Sequence, residues 1–202
     1  MNTIHKLTQL FTRFPGIGPR QAGRFVYFLL ASPQSYRNEL VELIRTLKEE
    51  TKVCPSCMRF HSGQGELCTV CADSSRDASS LMLVEKDVDL DNIERTGSYT
   101  GRYFVIGGTV PILDKTPERS IREKELLEVV KERTGEGLKE IILAFSVNAE
   151  GENTVNHVRR LLTPLLQQHK IRLSTLGRGL STGSELEYSD SETIKSALKN
   201  RA

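Results

Sequence analysis

Long apolar segments are missing from this 202-residue chain. The longest apolar run extends from Phe25 to Ala31, which is too short to span a bilayer. The first residues, Met1 to Lys6, lack the apolar core of a secretory signal. We therefore expect a cytoplasmic protein that makes no membrane contact.

Two catalytic signatures are also missing. The chain contains no G-x4-G-K-[ST] phosphate loop, which argues against nucleotide hydrolysis. The four histidines lie in helical or loop contexts without a paired acid, so no nucleophile with a partner base is evident.

Acidic residues are absent from the first 38 residues, whereas five basic residues give this segment a charge of +5: Lys6, Arg13, Arg20, Arg24 and Arg37. The opposite imbalance occurs between Leu81 and Tyr99, where acids outnumber bases. This segmented charge favours an N-terminal region that binds nucleic acid. The alternative is a set of solvated arginines without a partner.

Cysteine is absent outside one short window, where Cys54, Cys57, Cys68 and Cys71 form a C-x2-C-x10-C-x2-C array. Two C-x2-C turns can supply the four thiolates of a closed, structural zinc site. Two disulfides or a redox pair are the alternatives, but a chain of this length can build a core without disulfides. A tetrathiolate iron centre would have the same sequence pattern.

A glycine-containing turn separates two helical patterns near the N-terminus. Its sequence is Pro-Gly-Ile-Gly-Pro-Arg, in which Gly16 and Gly18 can point backbone N–H groups and a helix N-terminus at one anion. Arg20 and Arg24 lie four residues apart on one helix face, and Arg13 precedes the turn. We expect this hairpin to contact the DNA backbone without reading sequence. The alternative is an ordinary interhelical turn.

The periodicity changes after residue 80. Four short apolar runs predict strands at 81–85, 103–106, 140–144 and 171–176. Helical patterns at 121–133 and 154–168 lie between them, the second interrupted or kinked at Pro164. Together with a helical run at 36–50, these patterns predict a multidomain α+β protein whose α/β domain has a mostly parallel sheet.

The acidic loop after the first of these strands raises the possibility of an enzyme. Glu85 with Asp87 or Asp89 could hold Mg²⁺. A two-metal site also needs a second acidic cluster, usually Asp-x-Asp, and the segment after residue 144 supplies Glu150 and Glu152 instead. We therefore favour capping and helix-dipole roles for Asp87 and Asp89.

In this order, these motifs resemble the bacterial RecR family along essentially the whole chain. The resemblance rests on the Pro-Gly-Ile-Gly-Pro turn, the four cysteines, the Leu83-Val84-Glu85 strand and the tail from Gly179 to Asp190. It implies a helix-hairpin-helix domain at 1–52, a four-cysteine zinc finger at 53–78, a Toprim α/β domain at 79–176 and a C-terminal tail at 177–202 that consists of a glycine-rich bend and a helix.

The resemblance also implies a function. Members are non-enzymatic scaffolds that assemble as ring-like oligomers on DNA, work with RecO- and RecF-type partners and help load the recombinase. By this resemblance the DNA contacts are Arg20 and Arg24, and the expected partner-binding acids are Glu150 and Glu152 together with Glu85. A nucleoid-associated protein with one structural zinc is expected, and a Mg-dependent Toprim nuclease or primase-like enzyme is the alternative.

Overall fold

The computed structural model describes residues 2–113, 116, 119–177, 187 and 191–199. The chain divides into two compact units, the first ending at Thr51 and the second beginning at Lys52. No helix of the described part has the length and apolar character that crossing a membrane requires. The predicted glycine-rich bend of the tail lies largely outside the described residues.

The first unit contains three helices: α1 (Thr3–Phe11), α2 (Pro19–Ala31) and α3 (Gln34–Thr46). Ala22 and Val26 form its small buried centre. The predicted order of helix, tight turn and helix is therefore present. The third helix is shorter than the predicted 36–50 run, because a turn in which Glu49 and Glu50 both donate to the Thr46 carbonyl follows it.

The second unit begins with the cysteine region and continues into an α/β domain. Its elements are β1 (Lys52–Val53), β2 (Phe60–His61), α4 (Thr69–Ala72), β3 (Asp77–Val84), α5 (Asp87–Thr96), β4 (Gly101–Val105), α6 (Glu123–Gly135), β5 (Glu140–Ala144), α7 (Ala149–His169), β6 (Arg172–Thr175) and α8 (Ser191–Lys199). The larger sheet has the order β4-β3-β5-β6, and all its neighbours are parallel. The predicted parallel α/β domain is confirmed.

The central strand β3 divides the core into two layers. Side chains alternate across a strand, so Leu81 and Leu83 face one side of the sheet and Met82 and Val84 face the other. The first pair packs in the layer that contains residues of α6 and α7. The second pair packs with Leu90 of α5 and with three of the four cysteines. The cysteine region is therefore part of the core of the α/β domain.

The cysteine region also covers the edge of the sheet. Strand β4 lies at this edge, and the Val105 amide donates to the Cys57 carbonyl at 2.8 Å. This contact occupies a strand-edge donor that would otherwise be open to pairing with another chain.

Three sequence expectations change in the structure. Strand β3 begins at Asp77 and so includes polar residues that precede the predicted strand at 81–85. Helix α7 begins at Ala149, before the predicted helical pattern at 154–168, because the Asn148 side chain caps it there. Pro164 lies inside α7 without ending it.

Candidate functional sites

The hairpin between α1 and α2 exposes an uncapped helix N-terminus. Gly16 has a φ of 74°, a left-handed conformation that glycine adopts without steric cost. Gly18 is the N-cap of α2, and no side chain bonds to the first turn there. Pro19 starts the helix, where its missing N–H costs nothing. The first amide groups of α2 are therefore available to an external acceptor.

The space next to this N-terminus is open. A Cβ built on Gly18 would meet no atom within 4 Å, although its φ of −81° suits any residue. Neither the packing nor the conformation of this chain therefore requires glycine at position 18. An open surface at a helix N-terminus suits the close approach of a phosphate.

The structure places the predicted arginines around this turn. Arg13, Arg20 and Arg24 are all exposed. Arg24 Nη1 donates to Gln21 Oε1 at 3.2 Å, which holds its side chain along the helix. The first turn of α2 contains no acid. The positive helix end and the guanidinium groups thus favour an anion at the same place.

The second candidate site is a compact cluster of four sulfur atoms. The Sγ atoms of Cys54, Cys57, Cys68 and Cys71 all lie within 4.8 Å of one another. Those of Cys57 and Cys68 are 3.6 Å apart. A tetrahedron with Zn–S bonds of about 2.3 Å has S···S edges of about 3.8 Å, so the four thiols fit a tetrathiolate metal site.

Two backbone turns build this cluster. In the first, the Met58 amide donates to the Cys54 carbonyl at 2.8 Å, and Met58 adopts a left-handed φ of 61°. In the second, Cys68 caps the short helix α4, whose Ala72 amide bonds to the Cys68 carbonyl. His61 bonds through Nε2 with the Glu66 carbonyl and is not part of the cluster.

The crowding of these thiols changes their acidity. Hydrogen bonds with Cys68 and Cys71, followed by burial, raise the pKa of Cys57 far above its usual value of 9.0. Without a metal, Cys57 therefore holds its proton tightly. A metal ion must displace this proton before Cys57 becomes a ligand.

Glu85, the candidate metal ligand, is buried and already paired. Glu85 directly follows Val84, the last residue of β3. Val84 pairs with Ala144, the last residue of the parallel strand β5, and Ser146 lies just beyond that strand end. The Ser146 amide donates to one Glu85 carboxylate oxygen at 2.6 Å, and the Ser146 hydroxyl donates to the other at 2.9 Å. Glu85 is only 4% exposed, so its carboxylate offers no accessible surface to a partner protein.

The other loop acids have structural partners. Asp89 accepts from the Lys86 amide at 2.9 Å and so satisfies a backbone donor at the start of α5. Asp87 accepts from the Phe60 amide at 2.7 Å and so ties α5 to the cysteine region. Within the described ranges, the four cysteines are the one group of three or more potential metal ligands that the structure brings together.

Glu150 and Glu152 lie in the first turn of α7 at the carboxyl edge of the sheet. Glu150 is exposed and accepts from the Thr109 hydroxyl at 3.1 Å. Gly151 between them is buried, and a Cβ there would lie 1.9 Å from the Ser146 carbonyl oxygen. The helix end is therefore packed directly against the segment that binds Glu85.

The structure adds an apolar loop next to these acids, which the sequence did not single out. Asn153 donates to the carbonyls of Val110 and Pro111, and the Val110 amide donates to the Thr154 hydroxyl. The loop anchored in this way presents Ile112 and Leu113, of which Leu113 is 91% exposed. In the sequence, the signal for this surface was the apolar pair that directly follows Pro111.

Comparisons with known proteins agree with this architecture. The Toprim domain family matches residues 79–176, and the family described as RecR, C-terminal, matches residues 179–202. The chain is 37% identical over 198 residues to Recombination protein RecR of Roseiflexus sp. (strain RS-1), covering 98% of this chain and 92% of that protein. It is 33% identical over 204 residues to Recombination protein RecR of Bdellovibrio bacteriovorus, covering 100% and 97%. The chain belongs to the RecR family of recombination proteins.

Proposed function

We propose that this protein is a non-enzymatic DNA-binding scaffold of recombinational repair. It binds DNA through the hairpin, assembles as an oligomeric clamp and, with RecO- and RecF-type partners, helps load the recombinase onto gapped or single-stranded DNA in the cytoplasm. The uncapped N-terminus of α2, with exposed arginines and no acid in its first turn, carries the proposal.

The hairpin suits a phosphate better than a base. Its donors are backbone amides and guanidinium groups, which recognise phosphate oxygens in any sequence. Gly16 and Gly18 keep side chains away from the turn, and Arg13, Arg20 and Arg24 supply charge around it. Binding is therefore electrostatic and sequence-independent. We expect it to weaken as the salt concentration rises, because binding releases counterions from the DNA and this release is less favourable at high salt.

Zinc is the metal that we assign to the cysteine cluster, in a structural role. The four sulfurs close the coordination shell, and three of the cysteines are buried in the core of the α/β domain. A closed tetrathiolate shell leaves no position for a substrate. The metal's contribution is to hold the two cysteine turns against β4 and α5.

The acidic edge of the sheet supports a binding role and not catalysis. Where a two-metal site needs carboxylates opposite Glu85, this chain has Ser146, which bonds to Glu85, and Asn148, which caps α7. We therefore expect no nicking of plasmid DNA with Mg²⁺ or Mn²⁺. Cleavage by the wild type that disappears in Glu85→Gln would support the nuclease alternative.

Partner binding is assigned to the surface around the start of α7. Glu150 offers exposed negative charge next to the apolar pair Ile112 and Leu113, a combination typical of protein interfaces. Glu152 lies in the same turn. Glu85 supports this surface from below through Ser146 and does not meet the partner itself.

The experiment compares DNA affinity between two double variants with the same change in charge. Arg20→Ala with Arg24→Ala removes the hairpin arginines, whereas Arg45→Ala with Lys48→Ala removes two exposed charges of the α3 region. Fluorescence anisotropy with single- and double-stranded oligonucleotides should show at least tenfold weaker binding for the hairpin variant alone. Equal loss in both variants would mean that general charge, and not the hairpin, governs binding.

A further inference from the structure

Arg133 is an unusual residue in this domain because it is a charged side chain in the core. It lies near the end of α6, and its side chain is 4% exposed. Its Nη2 donates to the hydroxyl of Ser56 at 2.7 Å. Ser56 stands inside the first cysteine turn, directly before Cys57. A helix of the α/β domain thus reaches into the cysteine cluster with a cation.

The carboxylates around Arg133 do not account for its burial. In the described part of the chain, its ion-pair partner is Glu136, at 3.6 Å from Nη1. That carboxylate is 41% exposed and lies closer to Arg102, at 2.8 Å. The Arg133 Nε atom is buried and has no hydrogen-bond partner among the described residues. A buried charge needs compensation, so a further negative group is expected nearby.

The metal centre is such a group. Four thiolates around one Zn²⁺ carry a net negative charge, and sulfur ligands accept hydrogen bonds from groups outside the coordination shell. Ser56 connects Arg133 to the cluster, because its hydroxyl accepts from Arg133 and the residue lies in the first cysteine turn, directly before Cys57.

We propose that Arg133 is the buried counter-charge of the tetrathiolate metal centre and, through Ser56, couples metal binding to the position of α6. This inference rests on the metal assignment made above. Arg133 is a positioning residue and not a ligand. Metal binding then stabilises the packing of α6 as well as the cysteine turns.

Two neighbouring contacts make this coupling local to the first cysteine turn. The Val105 amide donates to the Cys57 carbonyl, and Arg122 Nη1 donates to the Met58 carbonyl at 2.6 Å. Three successive residues of this turn therefore accept hydrogen bonds from the α/β domain. Ser56 accepts from Arg133 near the end of α6, Cys57 from β4, and Met58 from the residue that precedes α6. If loss of the metal shifts this turn, the contacts at both ends of α6 should shift with it.

The test measures metal affinity by competition with a chromogenic chelator in the full-length protein. Arg133→Met should lower zinc affinity at least tenfold, within the range expected when a group outside the coordination shell is removed. Arg133→Lys should lose less, because it keeps the charge. Arg102→Met is the matched control, since it removes one cation from the same carboxylate without touching the cysteine turn. Its affinity should equal that of the wild type.

A spectroscopic readout separates this role from a general loss of stability. In the cobalt-substituted protein, a cation near the thiolates lowers the energy of their donor orbitals. Arg133→Met should therefore shift the sulfur-to-cobalt charge-transfer band to longer wavelength, and Arg133→Lys should leave it in place. If Arg133→Met does not fold, Ser56→Ala removes the hydroxyl that accepts from Arg133 and should also weaken zinc binding.

The outcomes distinguish the inference from its premise. A wild type that binds one metal, with unchanged affinity and band position in Arg133→Met, would overturn the role of Arg133 and leave the metal centre intact. If Arg133→Met does not fold, an unchanged zinc affinity in Ser56→Ala has the same meaning. A wild type that binds neither zinc nor cobalt would overturn both.

Discussion

At the scale of single residues, the missing side chain of Gly151 determines how the start of α7 packs. Its amide donates to the Asn148 side chain at 2.8 Å, and its Cα faces the Ser146 carbonyl. The same Ser146 bonds to both oxygens of Glu85. One glycine therefore positions the proposed partner surface above a buried carboxylate.

Gly151→Ala should destabilise the protein. The new Cβ would lie 1.9 Å from a backbone oxygen that cannot rotate away, and overpacking of this kind costs about 1–3 kcal/mol. Urea unfolding of the metal-loaded protein measures the loss. Gly135→Ala is the control with the opposite sign, because its Cβ meets nothing within 4 Å at the end of α6 and should stabilise by about 0.5 kcal/mol. Equal stability of Gly151→Ala and wild type would mean that α7 does not pack this closely.

Gly18→Ser separates DNA binding from folding. Serine is a better N-cap than glycine and fits the extended backbone at this position, so the melting temperature should stay the same or rise slightly. Its hydroxyl would accept from the first-turn amides and fill the open space beside them. We expect weaker DNA binding at unchanged stability. Unchanged DNA affinity would show that these amides do not hold a phosphate.

At the scale of elements, the sequence predicted the strands better than the ends of the helices. The strand at 140–144 is reproduced residue for residue, because a buried parallel strand reads as a short apolar run between polar boundaries. The start of α7 was missed, because Asn148 caps a helix whose first turn is polar and whose apolar pattern begins only at Thr154. The first residues of β3, from Asp77 to Ser80, were missed because they are mostly polar and form no apolar run.

The candidate sites divide in a similar way. The cysteine spacing was enough to predict the sulfur cluster, since two cysteines with only two residues between them can both bind one metal from a single backbone turn. The burial of Glu85 could not be predicted, because it depends on the register between β3 and β5, which brings Ser146 beside it. Arg133 could not be found either, since its contact with Ser56 joins residues far apart in the chain.

The cysteine cluster should bind its metal more weakly at acidic pH. Hydrogen bonds with Cys68 and Cys71, and then burial, raise the pKa of Cys57 in the metal-free protein. Protons therefore compete strongly with the metal, so affinity should rise with pH and fall as pH decreases. Zinc release to a chelator, followed at pH 8, 7 and 6, should need the least chelator at pH 6. Release that does not depend on pH would argue against thiolate ligands.

At the scale of the whole molecule, the first unit has several large apolar side chains that are exposed to solvent. Five large apolar side chains are each more than half exposed: Tyr27 and Phe28 of α2, Leu43 and Ile44 of α3, and Leu47, which follows α3 directly. Exposed apolar patches of this kind mark interaction sites. A second copy of the chain is the occupant that the clamp proposal requires.

Leu43→Glu with Leu47→Glu should therefore reduce the size of the assembly. The two residues lie on one face of the α3 region, and burying two carboxylates in an interface is unfavourable. Light scattering at several concentrations should give a multiple of 22.7 kDa for the wild type and a lower mass for the variant. Val88→Glu, at an exposed site on α5, is the control and should keep the wild-type mass. A wild type that is monomeric throughout would contradict the clamp.

The central claim is that the hairpin binds the phosphates of DNA, and the salt dependence of binding tests it most directly. The slope of log affinity against log salt counts the phosphates that the protein neutralises. We expect affinity to fall with salt, and the slope of Arg20→Ala with Arg24→Ala to be shallower by roughly one to two phosphates. Identical slopes in the two proteins, or no binding by the wild type, would contradict the account.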